Sequence, residues 1–202
     1  MRLKFLITLA CYAGFVIIIG GCGLLYGYKP LKQFDSNEYN SVISSVLDEN
    51  FKINHLISDS VQFDAYRRSV PDSNWQQTLS GQPIQVLYFK GDSLVSYHVN
   101  CLARGGLLNL NWNVNHRFEI FPPTSAISVT HTMLSLPDIR KIYNLTDNNE
   151  YLIIVFWSTM LSKVSKKTIE TVKTNLIRYG NLDKTSIVLI NTDKYYIPLQ
   201  KD

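Results

Sequence analysis

The chain is poor in the residues that usually announce chemistry. Its 202 residues include three cysteines, Cys11, Cys22 and Cys101, and the first two fall in an apolar N-terminal run. Only Cys101 belongs to the rest of the chain, so no disulfide framework is available and the fold must rest on its core. A single leftover thiol reads first as a small buried hydrophobe and second as a candidate free thiol for chemistry. The four histidines, His55, His98, His116 and His131, show no His-x-x-x-His spacing, and there is no Cys-x-x-Cys and no acidic cluster beside them. The sequence therefore implies no metal site and no cofactor. Long runs of one charge are missing too. Arg2, Lys4, Lys29 and Lys32 precede the first acid, Asp35, and from there on the chain carries 16 basic and 16 acidic residues with no basic run longer than two. A neutral domain of this kind has no electrostatic footprint for nucleic acid.

What is present begins at the N-terminus. Arg2 and Lys4 precede 24 uncharged residues, 5–28. As a helix this run exceeds the roughly 30 Å hydrocarbon core of a bilayer. Early positive charge favours a cytoplasmic N-terminus, which places the rest of the chain outside, on the periplasmic side if the cell is bacterial. Ile19-Gly20-Gly21-Cys22 also resembles a lipobox, with Cys22 as the lipid attachment residue, although Gly23-Leu24-Leu25-Tyr26 stays apolar where lipoprotein tethers turn polar. A cleaved secretory signal is the third reading. Residues 1–30 are thus an anchor or a lipoprotein-type signal, and residues 31–202 form a single extracytoplasmic domain tethered to a lipid bilayer.

In the middle of the chain, Tyr39, Val42, Ile43, Val46 and Leu47 recur at helical spacing, predicting a helix over 35–50 with Asp35 and Glu38 as a capping box. Residues 51–81 give only a short strand and a helical turn, with Arg67-Arg68 on a solvated edge. Strands over 84–89 and 94–102 flank a turn at Lys90-Gly91-Asp92-Ser93. Alternation puts Val95, Tyr97, Val99 and Cys101 on one face and Ser96, His98 and Asn100 on the other, so His98 and Cys101 form no dyad unless a bulge intervenes. Strands over 107–114 and 118–121 follow, the first showing Asn109, Asn111 and Asn113 on one face. A short helix over 136–143 opens at Ser135 with a capping-box pattern.

The stretch 151–193 organises the rest. Tyr151-Leu-Ile-Ile-Val-Phe-Trp157 is a doubly buried strand, 159–179 an amphipathic helix, and Ser186-Ile-Val-Leu-Ile190 a second strand closed by Asn191-Thr192-Asp193. The helix carries an apolar stripe, Leu161, Val164, Ile169, Val172, Leu176 and Tyr179, with Lys163, Lys166, Lys167, Lys173 and Arg178 mostly off it. Those lysines read as a solvated face, with an anionic membrane surface as the alternative.

This unit resembles the central part of the thioredoxin-like fold. Phe156-Trp157-Ser158 matches the strand end that leads into the redox motif, and Asn191-Thr192-Asp193 matches the later turn. Aligned on Phe156-Trp157, the two redox cysteine positions fall on Leu161 and Val164, and neither can form a thiolate. Ile197-Pro198 is similar to the proline that faces the redox site in that family, and the hairpin over 84–102 is expected to fill the missing edge of the sheet. The expectation is an α+β domain with a mixed sheet and a thioredoxin-like unit over 136–198. It leads to a non-catalytic, membrane-tethered cell-envelope protein, an interaction or structural component with an envelope partner. The alternative is a thiol-dependent factor using Cys101.

Overall fold

In the computed structural model, residues 28–71, 76, 80–100, 134–179 and 182–200 are described here. The strands expected over 107–114 and 118–121, together with Cys11, Cys22, Cys101, His116 and His131, lie outside the described residues. No helix among the described residues is long and apolar enough to cross a membrane, and the anchor run falls almost entirely before them.

Five strands form one mixed sheet: β1 (Lys52–Ile57), β2 (Gln85–Lys90), β3 (Ser93–Val99), β4 (Tyr151–Trp157) and β5 (Thr185–Asn191), in the spatial order β1-β5-β4-β2-β3. β1, β5 and β4 run parallel, and the β2–β3 hairpin adds antiparallel to β4. β4 and β5 are central because their Ile- and Val-rich runs can be buried on both faces. Leu152, Ile154 and Phe156 point to one layer, and Ile153, Val155 and Trp157 to the other. All six are at most 2 % exposed, and full burial of such side chains contributes roughly 1.5–3 kcal/mol each.

Helices α1 (Ser36–Val46) and α4 (Ser162–Tyr179) cover the second face, while α2 (Ser60–Ser69), α3 (Leu136–Tyr143) and α5 (Asp193–Leu199) cover the first. The predicted first helix is shorter than its periodicity implies. Leu47 already has extended backbone and stays exposed, and only half of the capping box forms. Asp35 Oδ1 accepts from the amides of Asn37 and Glu38, but the Glu38 carboxylate turns to Lys29 instead. The box does form in full at Asp59 and Gln62, at the head of α2. Ser135 makes no side-chain cap, so the pattern expected there is not realised.

Three further expectations are corrected. The hairpin contains a register shift at Tyr88/Phe89 that bulges Val95 outward, so Leu94 rather than Val95 joins Tyr97 and Val99 in the core. Arg67 is not a solvated edge residue: its guanidinium bonds the Tyr195 hydroxyl and lies over the Tyr195 ring, whereas Arg68 is exposed and pairs with Asp64. Lys173 is buried rather than wet. Its ammonium donates to the Val46 carbonyl at 3.0 Å and to Glu170 at 3.2 Å, with Asp48 at 3.6 Å, closing the C-terminus of α1. Lys173→Met keeps the stem but removes these charge-assisted bonds. We expect it to lower stability by about 1–3 kcal/mol, read from the thermal midpoint of the full chain in detergent.

The first layer is rich in tyrosine. Tyr66 donates to Gln85 Oε1 at 2.7 Å, Tyr196 donates to the Gly81 carbonyl, and the Tyr143 hydroxyl lies 3.3 Å from Ser58 Oγ. Burial raises the pKa of all three phenols above the ordinary tyrosine value. The unfolded chain therefore loses these protons first, and stability falls as the pH rises beyond about 10. An alkaline titration followed by tyrosinate absorbance should show these three ionising only together with loss of the folded circular dichroism signal.

Candidate functional site

In a sheet with parallel strands, ligands tend to gather outside the carboxyl ends of those strands. Here β4, β5 and β1 all end on the same side, each running directly into a helix. β4 passes through Ser158 and a 3-10 turn, Thr159–Leu161, into α4; β5 passes through Thr192 into α5; β1 passes through Ser58 and Asp59 into α2. These polar junction residues follow from the geometry, since a strand that stops in the core must satisfy its last carbonyls and the next helix's first amides.

Asp193 is the centre of the arrangement. It is 1 % exposed, and its carboxylate accepts three hydrogen bonds. Ser158 Oγ donates to Oδ1 at 2.6 Å, the Thr159 amide to Oδ1 at 2.9 Å, and Thr159 Oγ1 to Oδ2 at 2.8 Å. Ser158 Oγ in turn accepts from the Met160 amide at 3.1 Å. Ser165 Oγ, one turn into α4, donates to the Ser158 carbonyl at 2.9 Å and accepts from the Ser158 amide at 3.3 Å. Thr192 bonds the Trp157 carbonyl through both its amide and its hydroxyl. A carboxylate with three donors aimed at it ties the end of β5 to the start of α4.

The Asp193 carboxylate is engaged on both oxygens, whereas the buried Asn191 Nδ2 beside it finds no hydrogen-bond partner among the described residues. Ser158 would need a base to act as a nucleophile, yet its proton is held by a carboxylate far less basic than an alkoxide, with no imidazole in the array. Leu161 and Val164, the positions that the resemblance aligns with redox cysteines, are half-buried at the end of the 3-10 turn and in the first turn of α4. They present aliphatic carbon at the place where the resemblance implies sulfur. The N-terminal strap lies over the same turn. The Lys29 amide donates to the Met160 carbonyl at 2.9 Å, Leu31 is buried in the core, and the Leu31 amide donates to Gln200 Oε1 at 2.6 Å. Pro198 is not a loop proline; it lies within the short helix α5 and is exposed.

Comparison with family models, curated proteins and solved structures gives no match. The site must therefore be read from its own geometry.

Of the histidines, His98 is buried against the Tyr88 ring, and His55 sits on the edge strand β1 with Nδ1 2.9 Å from the Tyr39 hydroxyl. Among the described residues no group of three His, Cys, Asp or Glu side chains converges as a metal site would. An open groove of about 570 Å³ runs along α2, lined by Ser60, Val61, Asp64, Ala65, Arg68 and Tyr195. Sequence reasoning names Ser158 and Asp193 only as parts of the strand end and the later turn, not as partners, and does not single out Thr159. The available signal was the pairing of two polar junctions, Ser158-Thr159 and Asn191-Thr192-Asp193, at equivalent ends of adjacent parallel strands.

Proposed function

We propose that this is a membrane-tethered, non-catalytic envelope protein whose domain is a degenerate thioredoxin-like fold used for interaction or structure. The observation that carries the reading is the closed carboxyl end of the parallel strands. The carboxylate there is fully engaged, the two positions aligned with redox cysteines are aliphatic, and the strap at Lys29 and Leu31 covers the turn between them and the core. The hairpin also supports the thioredoxin-like part, because it takes the sheet edge beside β4 although it precedes β4 in the chain. The 24-residue uncharged run supports the tether, and fold alone would not supply function.

Chemical crosslinking in intact membranes, followed by purification of the full chain, tests the interaction half. Recovery of one envelope protein in stoichiometric amount supports it; a chain that stays uncrosslinked and monomeric counts against it. The intact mass of the mature chain separates an uncleaved anchor from acylation at Cys22. The competing thiol reading makes the opposite prediction for Cys101. We expect Cys101→Ser to leave partner recovery unchanged. Loss of crosslinking in that variant would move the function to the thiol.

A further inference from the structure

The described chain begins pinned, without a free linker. Lys29 and Leu31 are fixed to the Met160 carbonyl and Gln200, so whatever precedes Tyr28 leaves the domain at the carboxyl end of the parallel strands. The uncharged run reaches Tyr28 itself and exceeds the length of a bilayer core by only about four residues, a reach of roughly 14 Å even when extended. If the run spans a bilayer, this end of the domain cannot stand far from the headgroups.

The charges are distributed to match. Lys32, Lys163, Lys166, Lys167 and Lys194 all lie in the strap, the first two turns of α4 or the first turn of α5, and none forms an ion pair with a described residue. Among the described acids at this end, Glu38 pairs with Lys29, Asp64 pairs with Arg68 and Asp193 is buried, while the exposed Asp35 and Asp59 carboxylates cap helices. At the opposite end, where β4 and β5 begin and the hairpin turns, Asp48, Glu49, Asp92, Asp147, Glu150 and Asp183 are interspersed with Lys52, Lys90, Arg140, Lys173 and Lys184, and Arg140, Lys173 and Lys184 pair with acids there. Tyr28, Val61 and Leu199 are exposed at this end, while Leu47, Val95 and Ile177 are exposed at the other, so the lysines and not the apolar side chains distinguish the two ends. Lysines without acidic partners beside a few projecting apolar side chains are what anionic lipid surfaces attract.

We propose that this basic end of the domain, centred on the Thr159–Leu161 turn, docks on the anionic headgroup surface of the membrane that holds residues 5–28. The proposal rests on the tether reading. It fixes the domain's orientation, leaving the opposite end, with the β2–β3 turn and the start of β4, pointing away from the membrane and available to a partner.

Lysine footprinting tests it. The full chain is reconstituted into phosphatidylcholine vesicles with or without phosphatidylglycerol, treated with a water-soluble acetylating reagent, and modification is quantified by mass spectrometry. Lys32, Lys163, Lys167 and Lys194 should react about three- to tenfold more slowly in the anionic vesicles, and Lys52, Lys90 and Lys141 at unchanged rates. Equal rates in both vesicles, or slowing at the second set, would overturn the docking. Flotation separates this failure from that of the tether. A chain that floats with the vesicles but shows no footprint keeps its tether and loses only the docking; a chain that does not float loses both.

Discussion

Asp193→Ala is expected to lower the stability of the domain by about 3–5 kcal/mol, a large share of the roughly 5–15 kcal/mol that holds a typical domain together. The carboxylate is the shared acceptor for Ser158 Oγ, the Thr159 amide and Thr159 Oγ1, all buried beside it. Alanine leaves those three donors in a place that water does not readily reach, so each incurs its desolvation penalty without a bond. Asp193→Asn keeps one oxygen and should cost about half as much, because one face of the side chain becomes a donor opposite donors. Removing a donor rather than the acceptor is milder still: Ser158→Ala should cost about 1–2 kcal/mol. Thermal unfolding of the full chain in detergent, followed by far-ultraviolet circular dichroism, gives the ranking. Should Asp193→Ala melt within 1 kcal/mol of the parent while losing its crosslinked partner, the cluster would be a recognition site and not a fastening.

How far the sequence reveals this arrangement depends on what kind of signal each part sends. The β4–α4–β5 unit is legible because two long apolar runs bracket a helical period, and the observed bounds, Tyr151–Trp157, Ser162–Tyr179 and Thr185–Asn191, lie within three residues of those read from the pattern. The hairpin is legible through its Gly91 turn, where φ is +55° and a side chain would be strained. β1 is not legible: Lys52-Ile-Asn-His-Leu-Ile57 does not alternate, because an edge strand with exposed Asn54 and His55 is shaped by its single neighbour β5 and not by a two-sided core. The bulge at Val95 and the burial of Lys173 and Arg67 depend on partners distant in sequence: Phe89 across the hairpin, Val46 at the end of α1, and Tyr195 on α5. No local pattern contains them. The Asp193 cluster is an intermediate case, since each junction is polar in the sequence but only the parallel register that sets Trp157 beside Asn191 brings the two together.

Phe156→Ala should be the most damaging core substitution, costing about 3–5 kcal/mol. The ring is fully buried on the central strand and holds two helices of its layer, α2 and α3, against the sheet. Tyr66 of α2 stacks on it at 4.5 Å between centroids, Phe63 of the same helix meets it edge-on at 5.6 Å, and Tyr143 of α3 approaches at 6.0 Å. Alanine removes the common contact of these rings, and the two helices cannot close together on the site because each is fixed elsewhere, α2 by its cap at Asp59 and α3 by the Arg140–Asp92 pair. The residual cavity therefore adds to the lost burial. Phe156→Leu fills most of the volume but loses the aromatic stacking, so its cost should stay near 1–2 kcal/mol. The double variant Phe156→Leu, Tyr66→Phe discriminates further. Tyr66 donates its only hydroxyl bond to Gln85, whose amide already binds the Ser80 and Gln82 carbonyls, so the hydroxyl and ring contributions are separable. If the two effects add within about 0.5 kcal/mol, the hydroxyl acts on Gln85 alone; a larger coupling would mean that the stack with Phe156 sets the position of that bond.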